Sequence, residues 1–165
     1  MAEYKYTPLD EKAGEIRLLT LLPGRFNAPI CVTLETKVLS HANIPKYQAL
    51  SYAWGSELDR LNIHVVAGRG VQGVKSAALS VTRNLFEGLK HLRQTRRSTV
   101  LWIDQICVDQ KNLEERKEQV LRMPDIYSLA QGVIVWLGPE KDDSNVAMEV
   151  LNDIGQDVTV DWELS

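Results

Sequence analysis

The stretch "TVLWIDQICVDQKNLEERKEQ" (99–119) decides how the chain is read. Val100 to Ile103 is a short apolar run rich in β-branched and aromatic residues. Such a run predicts a strand buried on both faces, as in a parallel sheet. It stops at Asp104. Cys107, Asp109 and Gln110 follow, and a charged helix is predicted from about Leu113 to Gln131. On that helix Leu113, Val120, Met123, Tyr127 and Ala130 share one face at helical spacing. Pro124 lies inside it and is expected to kink or break it, because proline removes a backbone donor and crowds the preceding turn.

Working outward, "GVIVWLGP" (132–139) reads as a second buried strand closed by Gly138-Pro139, and "DDSNVAMEVLNDI" (142–154) as a well-capped helix. Upstream, Ser80 or Thr82 is expected to cap a helix ending near Leu92, with Val81, Leu85, Leu89 and Leu92 as its apolar stripe. This helix–strand alternation predicts crossovers and a parallel α/β layer. The first half is hairpin-rich. "EIRLLTLLPG" (15–24) and "APICVTLETKVL" (28–39) suggest a β-hairpin, and "YQALSYAWG" (47–55) a further strand closed by Gly55. Within "LNIHVVAGRGVQGVK" (61–75), Ile63–Val66 is expected to pair with Val71–Val74. Residues 1–14 are polar and read as an arm preceding the domain proper, 15–165. Residues 155–165 carry no clear element.

Of the 165 residues, 44% are hydrophobic and 25% charged, the balance of a globular domain with a sizeable core. A formal net charge of −3 gives no general affinity for nucleic acid. The basic run Arg93–Arg97 (RQTRR) reads first as a solvated helix end and second as an anion site. Cys31 and Cys107 stand in no metal-ligand spacing, so no metal site is expected. There is no signal-like N-terminus and no run near the roughly 20 apolar residues of a membrane span. A cytoplasmic chain with reduced thiols and no membrane partner is the expectation.

Ligands of open parallel sheets collect at the carboxyl ends of the strands. Asp104 stands at such an end, followed by Gln105, Asp109 and Gln110. The tip of the 47–55 strand adds Ser51, Tyr52, Trp54, Gly55 and Ser56. A polar cup with an aromatic wall suits a ribose or a nicotinamide-like ring. The competing reading is structural: Asp104 caps a turn, and Trp54, Trp102 and Trp136 fill the core. Cys107 reads as a small buried apolar residue unless His64 or His91 approaches it as a base. No dinucleotide fingerprint, Walker loop, nucleophile elbow or zincin motif is present.

The separated motifs "YQALSYAWG" (47–55), "LWIDQICVDQ" (101–110), "ERKEQVLRMPDIYSLA" (115–130) and "VIVWLG" (133–138) occur in an order that resembles the fungal heterokaryon incompatibility (HET) domain. That resemblance covers about residues 15 to 154. It implies a module that triggers programmed cell death when genetically different fungal cells fuse. HET domains in turn resemble Toll/interleukin receptor (TIR) domains. The implied fold is therefore a flavodoxin- or TIR-like, mostly parallel sheet flanked by helices, with the hairpins as an N-terminal extension. The implied chemistry is cleavage of NAD, as substrate and not as cofactor, at the nicotinamide–ribose bond. A carboxylate would there stabilise an oxocarbenium-like ribose.

On this reading Asp104 and Glu149 are the candidate catalytic carboxylates. Ser51, Tyr52, Trp54, Gly55, Gln105 and Gln110 are the candidate nucleotide-binding residues. Glu149 also reads as an ordinary solvated helix position. The family pattern continues to a W-x-x-Q-E-like motif, whose Glu is the best catalytic candidate by analogy. Trp162 and Glu163 lack that spacing, so a domain truncated at its C-terminal end, inactive alone, is expected. The competing function is a non-enzymatic module that self-associates on activation through its helices and an exposed strand edge.

Overall fold

The computed structural model describes residues 2–66 and 76–139. Seven strands form one sheet among these residues: β1 (Glu15–Leu21), β2 (Cys31–Val38), β3 (Gln48–Tyr52), β4 (Arg60–Val66), β5 (Ser76–Thr82), β6 (Thr99–Trp102) and β7 (Val133–Trp136). Their order is β5-β4-β2-β1-β6-β3-β7. Three helices accompany them: α1 (Arg83–Leu92), the single turn α2 (Asp104–Cys107) and α3 (Leu113–Ser128). The α/β class holds. The expected helix over 142–154, the strand over 71–74, Glu149, Trp162 and Glu163 lie outside the described residues.

The mostly parallel, flavodoxin-like sheet is corrected. Among the described strands, parallel pairing is confined to β6–β3, β3–β7 and a short β2–β4 contact. The long ladders, β1–β2 and β4–β5, are antiparallel, and β1 pairs antiparallel with β6 as well. β1 therefore ends the parallel block, and the hairpin strands enter the same sheet instead of extending it. Burial on both faces marks a central strand but carries no information on the direction of its neighbours. This also explains the imperfect alternation of "EIRLLTL": β1 is central, and Ile16, Leu18, Leu19 and Leu21 are all buried.

The hairpin expected over 15–39 forms, in register from Glu15 opposite Val38 to Leu21 opposite Val32. β4 pairs antiparallel with β5 and, through a short parallel contact, with β2. Thr82 precedes α1, but its side chain makes no cap bond; the hydroxyl lies 3.4 Å from Gln105 Oε1 instead. β7, read as a fully buried strand, is an edge strand among the described residues, with Val133 and Val135 outward. Inward-facing Trp136 packs on α1, where Gly88 is required. A Cβ there would lie 3.1 Å from the indole.

Two helix expectations change. α3 continues through Pro124 without breaking. Val120, whose carbonyl the proline cannot serve, sits on the exposed side, where water can take that bond. Of the apolar face read from the sequence, Leu113 and Val120 are exposed, while Met123, Tyr127 and Ala130 pack partly buried against the core. The buried positions are Glu115, Gln119 and Ile126, at helical spacing. Polar groups of the helix reach β1 through hydrogen bonds: Gln119 Nε2 and Arg122 Nη1 both donate to the Glu15 carbonyl, at 3.1 and 2.9 Å.

The reading of Arg93 as a solvated helix end is also corrected. Its guanidinium is buried and donates to the carbonyls of Arg25, Phe26, Ala28 and Pro29, at 2.6 to 2.9 Å. It ties the β1–β2 loop to the end of α1. Arg93→Ala is expected to cost about 2 kcal/mol and lower the melting temperature by roughly 4–8 °C. Lysine should recover little, because one ammonium cannot serve four carbonyls. Thermal melts of the three forms check this.

Candidate functional site

The strands β3, β6 and β7 run parallel, so their carboxyl ends meet at one edge of the sheet. β6 delivers Asp104 there and β3 delivers Tyr52 and Trp54. The Tyr52 hydroxyl donates to Asp104 Oδ1 at 3.3 Å, and Trp54 Nε1 donates to Oδ2 at 2.8 Å. The Gln105 backbone N–H donates to Oδ1 at 2.7 Å. Gln110 Nε2 donates to the Asp104 main-chain carbonyl at 2.9 Å. This is why the buried strand ends in an acid: one carboxylate gathers both loops. Three of its roughly four lone-pair sites are taken, which leaves about one for a ligand.

Gly55 makes the approach of Trp54 possible. Its φ of 77° lies in the left-handed region, and a Cβ there would meet Asn84 at 3.3 Å. Burial first, then the Asp104 charge and hydrogen bond, push the Tyr52 phenol far above its ordinary value. It remains a donor at every working pH.

Asp104 borders a cavity of about 380 Å³, large enough for a planar ring with its substituents. Trp54 and Gln110 line it too. Other lining residues escaped the reading of the sequence. Arg116 and Glu57 stand at its exposed rim, and Trp102 and Gln119, 0% and 1% exposed, form its floor. The signal for Gln119 was available: a polar residue at helical spacing from Glu115 and Ile126. Apolar periodicity passes over it.

The other candidates fall elsewhere. Gln105 turns away, its Oε1 accepting from the Thr82 N–H at 2.9 Å. It lines a neighbouring cavity of about 590 Å³ that shares Glu57 and Gln110 with the first. Ser51 lies in the sheet opposite Val135, and neither it nor Gly55 borders the Asp104 cavity. Cys107 is fully buried, and its Sγ accepts from the Ile103 N–H at 3.4 Å. Burial pushes its thiol up to about 12, so it stays protonated and is no nucleophile at neutral pH. No His, Cys, Asp and Glu cluster suited to a metal exists among the described residues, and no helix among them is long and apolar enough to cross a membrane.

Fold and site together define an α/β domain with a carboxylate-centred aromatic cavity at the ends of parallel strands. Residues 47–164 match the family described as heterokaryon incompatibility protein (HET). Over 160 residues the chain is 39% identical to "Heterokaryon incompatibility protein 6, OR allele" of Neurospora crassa. The alignment covers 93% of this chain and 23% of that protein, so the chain spans about a quarter of the relative's length. No solved structure matches it. The chain belongs to the heterokaryon incompatibility (HET) family.

Proposed function

We propose that the chain serves as the effector module of a fungal incompatibility response, and that the domain, extended as in its Neurospora relative, cleaves NAD. The family supports the first part, and the name of the Neurospora relative agrees with it. The observation that carries the second is the convergence of Tyr52 and Trp54 on the Asp104 carboxylate, with Trp54 and Asp104 lining one cavity. In the proposed reaction the bond between ribose C1′ and the nicotinamide nitrogen breaks. Its electron pair returns to the ring, which leaves neutral. Water adds to the oxocarbenium-like ribose and gives up a proton. Asp104 faces the developing positive charge, Trp54 stacks on a ring, and Tyr52 holds the carboxylate in place. Glu149 is the candidate second carboxylate.

The test is incubation of NAD with the purified chain, and with the chain fused to the corresponding continuation of the Neurospora relative. Free nicotinamide is measured by chromatography. Release by the fusion and none by the chain alone is the expected result. No release by either, even when the fusion is forced into oligomers, overturns the enzymatic reading. The second reading, a self-associating module, would then stand. The exposed Val133 and Val135 on β7, the edge strand among the described residues, favour it.

A further inference from the structure

We infer that the chain holds a second ligand site, at the opposite end of the parallel strands from Asp104, and that this site takes a phosphorylated polyol. β6, β3 and β7 begin side by side at that end. A cavity of about 490 Å³ opens there, between the segment after α1 and the strand starts. Lys46 and Arg97 line it, and no Asp or Glu does. Both cations are exposed, and neither has an acidic partner among the described residues. The cavity of about 590 Å³ beside Asp104 differs, since its Arg60 and Lys111 are paired with Glu57 and Glu3. An acid-free hollow with two unmatched cations favours an anion, even in a chain of net charge −3. The C-terminal ends of α1 and α3, at Leu92 and Ser128, precede Gln94 and Gln131 of the lining by two and three residues. Each opposes an anion with about half a negative charge. Two whole positive charges outweigh them.

The rest of the lining points to what carries the anion. Gln48, Gln94, Gln131 and Thr99 border the same cavity, and none of these side chains has a hydrogen-bond partner among the described residues. An amide offers both donors and an acceptor, the complement of a hydroxyl. Inorganic phosphate fills little of the space, whose volume falls in the range of roughly 300–1,000 Å³ that holds small organic ligands. A phosphate monoester of a polyol meets both demands. Its dianion lies between Lys46 and Arg97, and its hydroxyls meet the amides. The backbone frame is already set. Arg93 ties the start of the lining segment to the β1–β2 loop, and the Gly24 N–H donates to the Gln94 carbonyl at 3.0 Å. The Gln131 N–H donates to the Tyr47 carbonyl at 2.9 Å and fixes the start of β7 against that of β3. Binding therefore has mainly side chains left to order. No lining residue is shared with the Asp104 cavity, so the inference stands apart from the NAD reading.

The experiment titrates the full chain with inositol monophosphate, unphosphorylated inositol and inorganic phosphate in a calorimeter. The ester is expected to bind about tenfold more tightly than inorganic phosphate, and inositol not measurably. The double variant Lys46→Ala with Arg97→Ala should weaken the ester about 10- to 100-fold. Both side chains are exposed, so the fold is expected to survive, and circular dichroism checks it. Lys12→Ala with Lys117→Ala removes the same charge from exposed positions outside this cavity and should leave binding unchanged. A second arm sediments the chain with phosphatidylcholine vesicles, with and without phosphatidylinositol phosphate. Tighter binding to the phosphorylated vesicles than to the soluble ester assigns a lipid headgroup as the source, and equal or weaker binding assigns the free ester. Absence of ester binding, equal binding of inositol or of inorganic phosphate, or equal loss in the two double variants would overturn the inference. The unmodified chain with the three soluble probes decides the matter even if a variant does not fold.

Discussion

Arg17→Ala is expected to remove about 3–5 kcal/mol of stability, a large share of the roughly 5–15 kcal/mol that holds a domain together. Arg17 lies on β1 and Glu115 on α3, 2% and 3% exposed. Their side chains form a two-pronged ion pair, one bond of which is Nη2 to Oε2 at 2.9 Å. The same guanidinium donates to the carbonyls of Cys107 at 3.0 Å and Thr7 at 2.5 Å and lies over the Tyr6 ring. Alanine leaves the Glu115 carboxylate buried with only the Asp109 N–H, at 2.7 Å, as a donor. The cost comes mainly from that stranded charge. The double variant Arg17→Met with Glu115→Met strands no charge and is expected to lose less than the single one. Urea unfolding of the three proteins measures both quantities.

The same pair sets an acid limit. Burial opposes the charged form of Glu115, but the hydrogen bonds from Arg17 and the Asp109 N–H outweigh it and hold the carboxyl below its ordinary value. A depressed folded-state value stabilises the fold above the unfolded glutamate value of about 4.3, and that stability is lost as pH falls through the lower folded value. Unfolding of the native chain should therefore steepen below about pH 4, and Glu115→Gln should flatten that limb.

Asp104→Asn is expected to cut nicotinamide release by the fusion about 100-fold or more and to cost about 1.5–3 kcal/mol of stability. Asparagine keeps the shape but replaces one acceptor oxygen with a donor. Whichever way its amide turns, an NH₂ group faces either Trp54 Nε1 or the Gln105 N–H, and neither can accept. Rates at saturating NAD, taken with an unfolding curve, separate the two effects. An Asp104→Asn variant that releases nicotinamide at the unmodified rate would remove Asp104 from the proposed chemistry. Tyr52→Phe is the milder companion. It deletes the longer bond, at 3.3 Å, and leaves the other two donors on the carboxylate.

The site was legible to the extent that it depends on where strands end. An apolar run stopping at an acid, and a second strand stopping at Tyr-Ala-Trp-Gly, were enough to pair Asp104 with Tyr52 and Trp54, because parallel neighbours bring their carboxyl ends together. Gln105 shows the limit. Next to Asp104 in sequence, it lies in the helical turn that Asp104 opens, which carries its side chain toward Thr82. Gln119 and Arg116, from a helix read as apolar on its inner face, were out of reach of any count of hydrophobic residues.

What the sequence by itself determined is local and compositional. It marks the hairpin over 15–39, the strand that ends before Asp104, the helix from about Leu113, and the ordered motifs of a HET domain. The tertiary structure alone decided the direction of β1 against β6, the polar face that α3 buries, and the burial of Arg93 against a distant loop. The physical reason is the same in each case. Periodicity reports how much apolar surface a segment must hide, whereas a buried polar side chain is satisfied by a partner that folding brings from far along the chain, as Glu115 is by Arg17.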